Sequence, residues 1–156
     1  MAEGKVLTGA GLRGQVAGKT ALSTVGKSGA GLTYRGYDVQ DLAENCQFEE
    51  VAYLIFFGEL PTAVQLTAYK AKLKSLRQLP QALKEVLERI PADSHPMDVM
   101  RTGVSMLGNL ETEQSFAEQQ DVADRILATL PAIICYWYGF SHDGVRIEEN
   151  TDDDSI

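Results

Sequence analysis

Ser141, His142 and Asp143 are the residue types from which a nucleophile, its base and the group orienting that base are built. Acyl transfer by such a set needs three side chains converging on one point, and consecutive residues do not form that relay. The run therefore reads as a loop that ends a helix. His95 could act as a base, but it stands directly before Pro96, where capping and packing of a helix start account for it. Gly9-Ala10-Gly11-Leu12-Arg13-Gly14 spells a dinucleotide fingerprint, which holds pyrophosphate only between a buried strand and a helix. Met1 to Thr8 is a poor strand and Gln15 to Gly18 a poor helix. Gly14-Gln15-Val16-Ala17-Gly18-Lys19-Thr20 resembles a phosphate loop with its glycines one residue too close, and Gly26-Lys27-Ser28 lacks the first glycine because position 21 is Ala. All three read as turn material. Cys46 and Cys135 are far apart, with neither a Cys-x-x-Cys pair nor a histidine cluster. They read as buried free thiols rather than a zinc site or disulfide scaffold.

Composition narrows the classes further. A net charge of −8 argues against nucleic acid, whose phosphates are bound through Lys and Arg displacing counterions. Much of the excess is local, in Asp143, Glu148, Glu149, Asp152, Asp153 and Asp154 beside Arg146, and such a run is expected to be solvated. With 156 residues, 44% of them hydrophobic, the chain can bury a core of ordinary size. No signal-peptide core and no run of roughly 18 apolar residues is present, so no membrane span is expected and the cytoplasm is the expected compartment.

The elements that would position any site follow from periodicity. Glycines crowd residues 1–33, too many for a helix; Thr20 to Val25 and Leu32 to Tyr34 read as short strands flanking a turn. That arm precedes a helical region over residues 34–156. Asp38 can cap a first helix. Phe48, Val51, Ala52, Leu54 and Ile55 form a helical stripe ending at Gly58, a left-handed cap. Thr62 and Gln65 form a capping box for a helix with Leu66, Tyr69, Leu73 and Leu76 inward and Lys70, Lys72, Lys74 and Arg77 on a solvated face. Pro80 opens a helix carrying Leu83, Val86, Leu87 and Ile90, which Pro91 stops. Pro96 opens another, with an apolar ridge of Met97, Met100, Val104 and Leu107, while Gly103, Ser105 and Gly108 let a second helix approach closely. Asp121 to Phe140 reads as one long apolar helix interrupted and kinked at Pro131, with Tyr136, Trp137 and Tyr138 in the core. The fold class is all-α, multi-helical, with a short extended or hairpin amino-terminal segment.

Five segments in order, Leu32 to Asp38, Phe48 to Ala52, Gly58 to Thr62, His95 to Leu107, and Ala123 to Ala128 with Pro131, resemble the amino-terminal part of the large domain of the citrate synthase family, over about residues 20–156. Within that family Thr20 to Gly26, and Cys135 to Tyr138 followed by Ser141 to Ile147, are most similar to the bacterial 2-methylcitrate synthases, with ordinary citrate synthases the near rival.

The resemblance implies a condensation of an acyl-CoA, propionyl-CoA or acetyl-CoA, with oxaloacetate, followed by thioester hydrolysis. In the family an Asp removes the acyl α-proton, one His stabilises the enol and a second His assists at the ketone. No residue of this chain matches them, so no catalytic, cofactor-binding or metal-ligating residue is assigned, and acyl-CoA is a substrate rather than a cofactor. Asp152 to Ile156 resembles the family's continuation into a further helix, so the chain is expected to be an inactive truncated portion. The resemblance further implies a homodimer through helices near 97–109 and 121–140. Arg35 and Glu49 are expected to serve folding or assembly, with a substrate carboxylate the alternative for Arg35. The rival outside this class is a helical interaction module without catalysis.

Overall fold

The computed structural model describes residues 18–26, 31–149, 151 and 155–156. Strands β1 (Ser23–Val25), β2 (Leu32–Tyr34) and β3 (Tyr37–Asp38) form an antiparallel sheet in that order, with Ser23 opposite Tyr34 and Thr33 opposite Asp38. The expected hairpin is present. The third strand was not foreseen, because after Tyr34 only Asp38, as the cap of a first helix, was read. Arg35 and Gly36 both have positive φ, 51° and 93°, as a two-residue hairpin of type I′ requires. The chain thus reverses before Asp38 caps α1 (Val39–Asn45) by accepting the Gln40 amide at 2.8 Å.

Five more helices follow: α2 (Phe48–Phe57), α3 (Ala63–Ser75), α4 (Gln81–Leu87), α5 (Pro96–Leu110) and α6 (Gln119–Asp143). Gly58 ends α2 with φ 93°, and Thr62 and Gln65 make a reciprocal capping box on α3. A second capping box, Gln47 with Glu50, and a 3-10 turn at Phe116–Glu118 before α6 add to the expected elements.

Two apolar clusters meet along α6. Leu79, Leu83 and Leu87 pack with Val99 and Leu107 of α5 and with Ile133, Tyr136 and Trp137 of α6. Ala52 of α2, Tyr69 and Leu73 of α3, and Ala128 form the other. Fully burying each large side chain contributes roughly 1.5–3 kcal/mol, so α6 carries the fold's main packing stripe.

Several expectations are corrected. The α5 face that turns inward is Val99, Gly103 and Leu107, four residues apart, whereas Met97 is 63% exposed in the first turn. A Cβ at Gly103 would lie 2.6 Å from Ile133 Cγ2, so the close approach this glycine permits is to α6 of its own chain. Among the described residues, and apart from its chain neighbours and its own helical turns, no heavy atom stands within 4 Å of a Cβ at Gly108. The interruption at Pro131 is not seen, since α6 is assigned unbroken over 25 residues; one missing amide removes one bond from a long ladder. Tyr136 and Trp137 are core as expected, but Tyr138 is 55% exposed.

Candidate functional site

Each imidazole has a local task. His95 Nδ1 accepts the Met97 amide at 3.2 Å as the N-cap of α5. His142 stacks on Tyr138 with ring centroids 4.1 Å apart and presents an edge to Trp137. Its Nδ1 lies 2.9 Å from Ser141 Oγ and 3.2 Å from the Tyr138 carbonyl, and among the described residues no hydrogen bond joins Asp143 to it. These three residues occupy the last turn of α6, which Gly144 ends in the left-handed region, so they form no relay. Cys46 is half-buried and Cys135 exposed, not buried as expected. Burial, then the Glu50 charge, pushes the Cys46 thiol up from its ordinary value, away from the reactive thiolate. Among the described residues no group of His, Cys, Asp and Glu could hold a metal ion. The Gly9 to Gly14 run and Gly14 to Ala17 lie outside the described residues.

The charged side chains instead tie helices together. Asp124 of α6 is fully buried. It accepts Tyr69 Oη at 2.9 Å, Lys72 Nζ at 2.6 Å and Gln120 Nε2 at 3.2 Å, while Lys72 also meets Asp121 at 2.8 Å. Burial, then the Asp124 hydrogen bond, drives the Tyr69 hydroxyl up, so it donates at any ordinary pH. Arg125 grips Glu111 through Nε at 2.8 Å and a second guanidinium nitrogen at 2.6 Å, and donates to the carbonyls of Leu76 and Gln78. Glu88 accepts Tyr136 Oη at 2.8 Å and Arg146 Nε at 2.6 Å.

Glu49 is fully buried and accepts both Ser155 Oγ and the Ile156 amide at 2.8 Å. Arg35 donates to the Ile55 carbonyl through Nε at 3.3 Å and Nη2 at 2.8 Å. That bond satisfies an acceptor in the last turn of α2 through one edge of the guanidinium. The basic face of α3 is not simply solvated: Arg77 is buried, and Lys70 and Lys72 hold Gln47 and Asp124. Nor is the acidic run, because Glu149 is buried against Lys84 at 2.5 Å.

These carboxylates set a pH dependence. The Arg146 hydrogen bond, then that of Tyr136, lowers Glu88, and the Arg125 hydrogen bond lowers Glu111. For Glu49, burial pushes upward but is outweighed by the Ile156 amide, the Ser155 hydroxyl, its own backbone and the Lys70 charge, so it too is lowered. A carboxylate depressed in the folded state stabilises above its unfolded value, about 4.3 for Glu, and loses that contribution as pH falls through the folded value. Urea midpoints are expected to be flat from about pH 7 to 5 and to fall below about pH 4.5. A midpoint that rises on acidification would contradict the pairing.

Two of the open grooves are largely apolar. A groove of about 500 Å³ between the ends of α5 and α6 is lined by Leu76, Val104, Leu107, Gly108, Val122 and Ile126, with Glu111 and Arg125 on its rim. A second, of about 510 Å³, lies among Tyr34, Leu42, Cys46, Val51, Ile55 and Leu127. Neither brings together a nucleophile, a base and an oxyanion donor. Sequence reasoning gave Glu49 a folding role without its burial or partners and missed Glu88 and Asp124 as buried or paired groups; the available signal for the burial of Glu49 was its place three residues before Ala52 on the buried face of α2.

The family model described as "Citrate synthase, C-terminal domain" matches residues 11–156. A 2-methylcitrate synthase of Shewanella oneidensis is 76% identical over 156 residues, which is all of this chain and 42% of that protein. The 2-methylcitrate synthase 2 of Corynebacterium glutamicum is 44% identical over 127 residues, 80% of this chain and 33% of that protein. The chain therefore spans less than half the length of these relatives. Among solved structures, the citrate synthase of Thermotoga maritima superposes with a TM-score of 0.76 at 28% identity, covering 90% of this chain and 37% of that one. That of Thermoplasma acidophilum, in ternary complex with carboxymethyl coenzyme A and oxaloacetate, gives 0.81 at 26% identity, covering 93% and 39%.

Proposed function

We propose that this chain, which belongs to the citrate synthase family, is the scaffold portion of a 2-methylcitrate synthase. In the complete enzyme propionyl-CoA loses an α-proton, its α-carbon bonds to the ketone carbon of oxaloacetate, and water cleaves the thioester to give 2-methylcitrate and free CoA. The observation that carries this reading is the 76% identity along the whole chain to a protein of that name. The groups that move protons and bind carboxylates stand outside these residues. Both histidines are engaged at helix ends, and the buried carboxylates Glu49 and Asp124 take their donors from this chain. No resident cofactor is called for, acyl-CoA being consumed.

The same reading places the enzyme in the cytoplasm, in propionate catabolism, as a homodimer joined near 97–109 and 121–140. Support for the dimer face comes from the open surface at Gly108 and from Leu110 and Tyr138, 41% and 55% exposed on α5 and α6. Among the described residues no helix is long and apolar enough to cross a membrane.

A second reading, acetyl-CoA as the substrate, is favoured by a citrate synthase of Mycolicibacterium smegmatis that is 43% identical over 127 residues. Initial rates of CoA release by the complete polypeptide with each thioester decide between them. The proposal expects kcat/KM to favour propionyl-CoA. Preference for acetyl-CoA would establish the second reading, and turnover of neither would leave a non-catalytic helical module.

A further inference from the structure

After Gly144 the chain turns back along α6, and its contacts form a series across the other helices. Val145 donates its amide to the Gly139 carbonyl at 3.0 Å, Arg146 meets Glu88 and Ile147 packs on the α4–α6 core. Glu149 is then buried against Lys84, and buried Arg77 donates to Thr151 and to the Ser155 carbonyl. At the far side, Ile156 sets its side chain against the cluster of Ala52, Tyr69, Leu73 and Ala128. Its amide and the Ser155 hydroxyl both reach one oxygen of Glu49 at 2.8 Å. The other oxygen, Oε2, is buried without a hydrogen-bond partner among the described residues.

A carboxylate is a poor choice if packing is the only task. An apolar side chain would fill the same space without losing hydration, and buried charge is better suited to specifying one arrangement than to adding stability. Two donors from consecutive residues on a single oxygen fix both the direction and the register of the backbone that carries them. We propose that Glu49 is a positioning residue: it fixes residues 155–156 on α2 and so sets the course of the chain that leads onward to the reacting groups of the synthase. This rests on the function proposed above. Glu49 touches no substrate in this role and acts through the segment it holds.

Glu49→Met tests it, because a side chain of similar length and volume removes both acceptor oxygens. In the 156-residue chain, amide exchange at Ile156 is expected to quicken by about tenfold or more while Trp137 in α6 is unchanged. In the complete synthase, assayed at a temperature where both proteins stay folded, kcat is expected to fall about tenfold with KM for oxaloacetate within about twofold, beside a melting temperature lowered only by the lost carboxylate pairing. Unchanged exchange at Ile156 overturns the anchor. Exchange that quickens equally in α6, or a kcat left intact beside a quickened Ile156, overturns positioning and makes Glu49 a stabiliser only. A wild-type synthase inactive on both thioesters overturns the proposed function, and the exchange measurement still decides the anchor.

Discussion

Asp124→Ala is expected to destabilise the chain by about 3 kcal/mol, among the largest single effects in this fold. The carboxylate is fully buried and serves three donors at once. Its removal leaves the Tyr69 hydroxyl unsatisfied between α3 and α6, costing about 1–3 kcal/mol, and breaks the buried half of the Lys72 pair. The estimate is held near the lower end for a broken buried pair because Lys72 is 40% exposed and keeps Asp121. A chain of this size should melt about 10 °C lower. Asp124→Asn retains one acceptor and should lose less. Equal melting temperatures for the wild type and the alanine variant would show that the cluster is not holding α3 to α6.

Gly103→Leu is expected to cost about 3 kcal/mol or more through overpacking. Even the first added carbon would come within 2.6 Å of Ile133 Cγ2, and Cδ1 and Cγ1 of the same side chain lie 3.2 and 3.5 Å away. Ile133 itself is fully buried and can retreat only into Val99, Leu107 and Trp137 of the same cluster. Denaturant midpoints should show the loss at every protein concentration. A variant as stable as wild type in the monomeric chain, with an altered self-association constant, would return Gly103 to an interface between copies.

Local elements were legible where backbone chemistry speaks through one or two residues. Asp38, Gly58, Thr62 with Gln65, and His95 with Pro96 mark helix ends by satisfying unpaired backbone groups, and each cap is present. Phase was harder. Met97, Met100, Val104 and Leu107 and Val99, Gly103 and Leu107 are both helical stripes of α5, and only α6 packing through Gly103 selects the second. The β2–β3 turn was hidden because Arg35 has a positive φ, which side chains other than glycine seldom adopt.

The polar ties were least legible. Asp124 lies 55 positions from Tyr69 and Glu49 lies 106 from Ser155, and neither pairing has a local pattern to betray it. Solvated faces were therefore expected on α3 and in the acidic run where the fold closes Arg77 and Glu149 into partners. That no site was assigned from the sequence rests on different grounds: no residue matched the Asp and two His that the resemblance implies, and the motifs resembling a site failed on convergence, glycine spacing or flanking elements.

Oxaloacetate-dependent release of CoA from propionyl-CoA by the purified 156-residue chain tests the central claim, that this portion holds the scaffold and none of the reacting groups. Thiol release at the level of the enzyme-free blank is the expected result. Release above the blank that requires oxaloacetate, and that disappears in His95→Ala or His142→Ala, would contradict it and place the chemistry within these residues.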